Sequence, residues 1–182
     1  MPTTTETYDV AVIGCGLMGA ALAKNFAASD LTVAVWNRTA AKAEAIAGPR
    51  VAAPASVAEA VRGTDLVVTC LSTYDATRTV LADVADWTGK TLVSVTTGTS
   101  DDAVEMEQWA SDRGARYLDG ALLCLPHQLG TGQGIALYSG ATETWAIHER
   151  VLMTPGPSSA LVSPSIEGAS VFDRAIIGGF LL

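Results

Sequence analysis

Short apolar runs alternate with stretches of helix formers along this chain, and that alternation narrows its fold more than any other feature. Runs over 8–13, 31–36, 51–52, 65–71, 91–95, 116–118, 135–138 and 160–162 read as strands. Several are continuously apolar rather than alternating, the pattern of strands covered on both faces. Helix formers fill 17–28, 39–47, 56–61, 74–87, 101–113, 142–153 and 166–182, with Thr39 and Ser56 placed as N-caps. A strand, a helix and a second strand close as a right-handed crossover, so the repeat predicts a doubly wound, mainly parallel α/β sheet. With 182 residues the chain has room for one such domain and its core. Pro155, Pro157 and Pro164 interrupt the pattern, which divides the chain into a domain over 1–164 and a long helix over 165–182.

Gly14, Cys15, Gly16, Leu17, Met18 and Gly19 form a GxGxxG set between the first strand and the first helix. Each glycine there answers a physical need, since Gly14 permits the tight turn, Gly16 lets a pyrophosphate approach the backbone, and Gly19 lets helix and strand pack closely. The free N–H groups of the helix then face the anion. This combination is the Rossmann dinucleotide-binding fingerprint. About 20 residues further on, NAD-binding chains place an acidic residue on the ribose 2′-hydroxyl. Asn37, Arg38 and Thr39 stand here instead, with Lys42 close behind. A carboxylate repels a 2′-phosphate, whereas a guanidinium holds it by paired, charge-assisted hydrogen bonds. The expected cofactor is therefore NADPH.

Five blocks together resemble the imine reductases, a branch of the β-hydroxyacid dehydrogenase superfamily. They are Val12 to Gly19, Val35-Trp36-Asn37-Arg38-Thr39, Thr96-Thr97-Gly98-Thr99, Tyr117-Leu118-Asp119-Gly120-Ala121 and Leu137-Tyr138-Ser139-Gly140. The resemblance implies NADPH-dependent reduction of a C=N bond, usually in a cyclic imine or iminium. It implies a nicotinamide near the loops after the fourth and fifth strands, here Leu71, Ser72, Thr73, Thr96 and Thr97. On the last helix, Asp173 matches the family's catalytic Asp, where related hydroxyacid dehydrogenases carry a Lys. A carboxyl group suits an imine, because it can deliver the activating proton and then stabilise the iminium. An Asp near a helix start is also a common capping or solvated residue. Asp119 ends a predicted strand, where ligand-facing residues gather in open parallel sheets. Its other reading is local, in which it bonds neighbouring backbone N–H groups and shapes a turn at Gly120. With Ala121, Leu123 and His127 it completes the candidate substrate-lining set. Tyr74, Tyr138 and His148 read as packing residues.

The family continues beyond this helix into an all-helical domain that swaps between two subunits. An apolar last helix with Ile176, Ile177, Phe180, Leu181 and Leu182 needs such a cover, so a homodimer or a heteromeric partner is expected. A net charge of −8 disfavours nucleic acid and anionic membranes as partners. The sequence reads without a secretory signal or a bilayer-spanning run, which points to a cytoplasmic protein. Cys15, Cys70 and Cys124 lack metal-site spacing and read as inert thiols, and two histidines are too few for a metal centre. Other functions remain open on the sequence alone, namely a β-hydroxyacid or aldehyde reductase, a subunit of a heteromeric reductase, and a non-catalytic NADPH-binding module.

Overall fold

A glycine-rich turn and a run of parallel strands set the architecture from the first residues of the computed structural model, which describes residues 6–180, the side chains of 177–180 excepted. Met1 to Thr5, Leu181 and Leu182 lie outside the described residues, as do the side chains of Ile177 and Phe180 in the apolar terminus. The first half runs β1 (Val10–Ile13), α1 (Leu17–Ala28), β2 (Val33–Trp36), α2 (Ala40–Glu44), β3 (Val51–Ala52), α3 (Val57–Arg62), β4 (Leu66–Thr69) and α4 (Tyr74–Leu81). The second runs β5 (Thr91–Ser94), α5 (Ser100–Ser111), β6 (Arg116–Leu122), a 3-10 turn (Pro126–Gln128), β7 (Ala136–Gly140), α6 (Thr142–Leu152), β8 (Ala160–Ser163) and α7 (Gly168–Phe180).

The eight strands form one sheet in the order β3-β2-β1-β4-β5-β6-β7-β8. The order reverses between β1 and β4, and at such a switch point the loops after neighbouring strands part and leave a crevice. Strand side chains alternate between two apolar layers. Val10 and Val12 join Leu22 and Phe26 of α1, Ala43 of α2 and Leu152 of α6 on one face. Ala11 and Ile13 join Ala60 of α3, Leu81 of α4 and Met106 of α5 on the other. Both faces are covered, as the continuously apolar strands required.

Several elements depart from the sequence expectation. Helix α4 stops at Leu81 rather than 87, because Trp87 turns into the core, 1% exposed, with its ring edge on Trp109. Strand β6 continues past 118 to Leu122, through the Asp-Gly pair that signals a turn. Gly120 is needed there for a different reason: a Cβ would stand 3.0 Å from the Tyr138 ring and 3.1 Å from Val95. Strand β7 runs antiparallel to β6, and β8 runs parallel to β7. The segment between β6 and β7 holds only the 3-10 turn, with no crossover helix to carry the chain back for a parallel return. No described helix is long and apolar enough to cross a membrane.

Candidate active site

The turn after β1 is built around its glycines. Gly14 has φ +108, and a Cβ there would strike the Cys70 carbonyl oxygen; a Cβ at Gly19 would strike the Gly14 carbonyl oxygen. The protein's own backbone thus demands glycine at both positions. At Gly16 a Cβ would meet nothing within 4 Å. The chain itself has no use for that open space, and it lies at the N-cap of α1. Helix α1 carries no capping side chain and no acidic residue in its first turn, so its leading N–H groups are left for an external acceptor. The Cys15 N–H instead donates to Asn37 Oδ1 at 3.0 Å, and Asn37 Nδ2 donates to the Thr39 carbonyl at 3.0 Å. Asn37 is therefore a strut that ties the phosphate turn to the tip of β2.

Arg38, Thr39 and Lys42 are exposed beyond that strut. Thr39 is the N-cap of α2, yet its hydroxyl makes no capping bond. Among the described residues neither Arg38 nor Lys42 enters an ion pair, while Arg50 pairs with Asp30 and Arg78 with Asp75 and Glu105. An open cleft of about 580 Å³ brings together Cys15, Gly16, Leu17, Lys24, Lys42 and His127. His127, named in the sequence for the substrate-lining set, stands on the cleft beside α1 at the phosphate turn. Lys24, one of two cations on this cleft, escapes sequence reading because a Lys in an Ala-rich helix carries no signal of its own.

Toward the other end, Ser72, Thr73 and Thr97 are exposed at the ends of β4 and β5, and Leu71 is half-buried. Thr73 caps α4 by accepting from the Ala76 N–H at 3.0 Å, and Thr99 forms a full capping box with Asp102. Thr96 is 3% exposed and its hydroxyl has no partner among the described residues, an orphan polar group that a bound carboxamide or ribose could satisfy. Ala121 is buried and Leu123 half-buried along the same edge.

Asp119 lies inside β6 and is 1% exposed, rather than ending a strand or shaping a turn at Gly120. Alternation along β6 sends it to the face of Tyr117, and its carboxylate accepts from Tyr74 Oη at 2.6 Å, Tyr117 Oη at 3.1 Å and Ser170 Oγ at 2.7 Å. Burial pushes its pKa up to about 6, while the Tyr74, Ser170 and Tyr117 hydroxyls and the Gly120 N–H pull it back. No local pattern announces this cluster, since its members lie on α4, β6 and α7. Asp173 follows Ser170 by one helical turn, is also buried, and has its pKa raised by loss of solvent. Cys15 and Cys70 flank the phosphate turn as thiols, both pushed up to about 11 chiefly by burial. Among the described residues no group of three His, Cys, Asp or Glu side chains could hold a metal ion.

A glycine turn at the switch point of a doubly wound sheet, with N–H groups unclaimed and cations unpaired among the described residues beyond it, defines a dinucleotide-binding domain of the Rossmann class. The chain belongs to the family of the NAD binding domain of 6-phosphogluconate dehydrogenase, whose model matches residues 9–162. It is 35% identical to an imine reductase from Myxococcus stipitatus solved with NADP+, with a TM-score of 0.91 over 95% of this chain and 61% of that one. It is 34% identical to a reductive aminase from Aspergillus terreus solved with NADPH and ethyl-5-oxohexanoate, again with a TM-score of 0.91, over 96% of this chain and 61% of that one. In sequence it is 30% identical over 172 residues to an NADPH-dependent reductive aminase of Aspergillus oryzae, covering 93% of this chain and 58% of the relative. The chain thus spans about three fifths of the length of these relatives.

Proposed function

We propose that this chain is the NADPH-binding part of an enzyme that reduces C=N bonds. The observation that carries the reading is the tip of β2, where Arg38, Thr39 and Lys42 stand exposed, the two cations without ion pairs among the described residues, in the position that an NAD-binding chain gives to a carboxylate. The open space at Gly16, the unclaimed N–H groups of α1 and the orphan Thr96 hydroxyl fit the rest of the dinucleotide. The likeness to proteins solved with NADP+ and NADPH supports the same choice. Bound NADPH supplies a hydride. The chain's own residues hold its phosphates through α1 and Arg38, and Asp173 holds a proton for the imine nitrogen and then faces the iminium as a carboxylate. Burial favours the protonated carboxyl, which is the form this step requires.

The exposed side of α7 presents Val171, Phe172 and Ile176. An apolar stripe of this kind suits a second subunit or helical domain that would close the substrate pocket, in a cytoplasmic enzyme whose thiols stay reduced. Sedimentation of the native assembly checks that part, with two copies or a heteromer expected and a lone monomer against it.

Arg38→Asp tests the cofactor reading. Loss of one or two charge-assisted bonds should weaken NADPH binding by about tenfold to a hundredfold and leave NADH nearly unchanged. Equal weakening of both dinucleotides would refute the role of Arg38. Turnover of a cyclic imine against a 3-hydroxy acid, followed by NADPH absorbance, then separates imine reduction from hydroxyacid chemistry.

A further inference from the structure

Asp119 is a buried carboxylate that none of the described ion pairs neutralises. Such a group is costly to desolvate, and a hydrophobic residue of similar size would serve packing alone better. What the carboxylate adds is direction, because its two oxygens reach groups on separate elements: Oδ1 takes the Tyr74 and Tyr117 hydroxyls, and Oδ2 takes Ser170 on α7. Tyr74 opens α4 directly after the loop at Ser72 and Thr73, and its ring lies so close under Gly98 that a Cβ there would collide with it. On the far side, Ser170 and Asp173 are three residues apart and both buried, so they share one face of α7. A second pair of bonds fixes the start of that helix: Ser139 Oγ donates to the Ile166 carbonyl at 2.7 Å and accepts from the Ala169 N–H at 2.9 Å.

We infer that Asp119 is a positioning residue that links the 96–99 loop, through Tyr74, to the face of α7 that carries Asp173, through Ser170. The inference rests on the cofactor reading above, since its input is a dinucleotide lying against the loops after β4 and β5. Filling those loops presses on Gly98 and the Tyr74 ring beneath it, and the shared carboxylate passes the constraint to Ser170. Binding of cofactor and placement of the proton-holding side chain become one event rather than two.

Amide hydrogen exchange on the purified protein, with and without saturating NADPH, tests this in the parent and in Tyr74→Phe, Ser170→Ala and the double variant. Each single change deletes one hydroxyl, and Ser170→Ala keeps Tyr74 and Tyr117 on Asp119. In the parent, NADPH should slow exchange both at 14–19 and at 168–176, the latter by about tenfold. In either single variant the slowing at 14–19 should persist while that at 168–176 falls to less than about threefold, and the double variant should lose no more than the singles, as for links in one chain. A purely structural bond would quicken exchange in α7 equally with and without NADPH, and that result overturns the coupling. Retained slowing in α7 of both variants overturns it too. If NADPH leaves 14–19 of the parent unprotected, the cofactor reading itself falls, and this inference with it.

Discussion

Asp173 stands in an environment that costs its charged form solvent and returns no described hydrogen bond, which is why its pKa moves up. Asp173→Ala should lower kcat by about a hundredfold or more, the usual worth of a positioned general acid, while the Kd for NADPH stays near the parent value. Parent turnover should fall as pH rises through the raised pKa, because the proton to be delivered is lost there; an unchanged kcat in the variant would remove Asp173 from the chemistry. At this scale the sequence is an uneven guide. Gly14 and Gly19 are legible because each follows from a local rule of tight turn or close packing, and the structure would place backbone atoms against a Cβ at either. Asn37, read in the sequence as a cofactor contact, braces the turn through Cys15 and Thr39. The cluster around Asp119 is not legible because its partners, Tyr74 and Ser170, are 45 and 51 residues away in sequence.

Among the elements, α5 depends most visibly on a single side chain. Thr99 Oγ1 accepts from the Asp102 N–H at 3.1 Å, and Asp102 Oδ2 accepts from the Thr99 N–H at 2.8 Å. Thr99→Ala should cost about 1 kcal/mol. In a domain of this size that corresponds to about 2–4 °C in Tm, measurable by calorimetry, with Thr99→Ser close to the parent. A Tm unmoved by the Ala change would mean that solvent satisfies the helix end as well as the box does. Helix α1 is readable to the residue because a glycine turn opens it and an Ala-rich run sustains it. Strand β6 is cut short in the sequence because Asp-Gly is a local turn signal, whereas the Tyr138 ring and Val95 require the glycine for packing across the sheet. The reversal at β7 is not legible, since strand direction depends on which edge the connecting loop returns to.

Over the whole molecule, one buried contact fastens the α6 layer to the sheet. Thr91 Oγ1 lies 2.9 Å from His148 Nε2 and accepts from Arg116 Nε at 3.0 Å, so its own proton is free to go to the imidazole. Burial, followed by the charge of Arg116, lowers the pKa of His148 while Asp65 opposes, so the fold favours the neutral ring. A lowered folded pKa means that the unfolded chain binds the proton more readily, so stability is lost as pH falls below the unfolded value of about 6.5. Asp119 acts in the opposite sense, because its pKa of about 6 in the fold favours the folded state as pH drops. Comparison with His148→Gln isolates the first effect. The parent should lose stability relative to this variant between about pH 8 and about pH 5, and parallel curves would show that His148 does not titrate across folding.

The reversed pair β7 and β8 sets the direction in which the final helix runs. Ile166 lies against Gly140, which pairs with Leu118, whereas Ser170 reaches Asp119 and so the cluster around Tyr74 beneath Gly98. The final helix therefore climbs toward the rim where the glycine turn and the threonine loop open, and carries Asp173 with it. Had the last strands kept the common polarity, the same helix would have started at that rim and descended from it, taking its carboxyl to the opposite margin of the sheet. Two backward strands thus act as a switchyard that delivers the final helix to the mouth of the crevice.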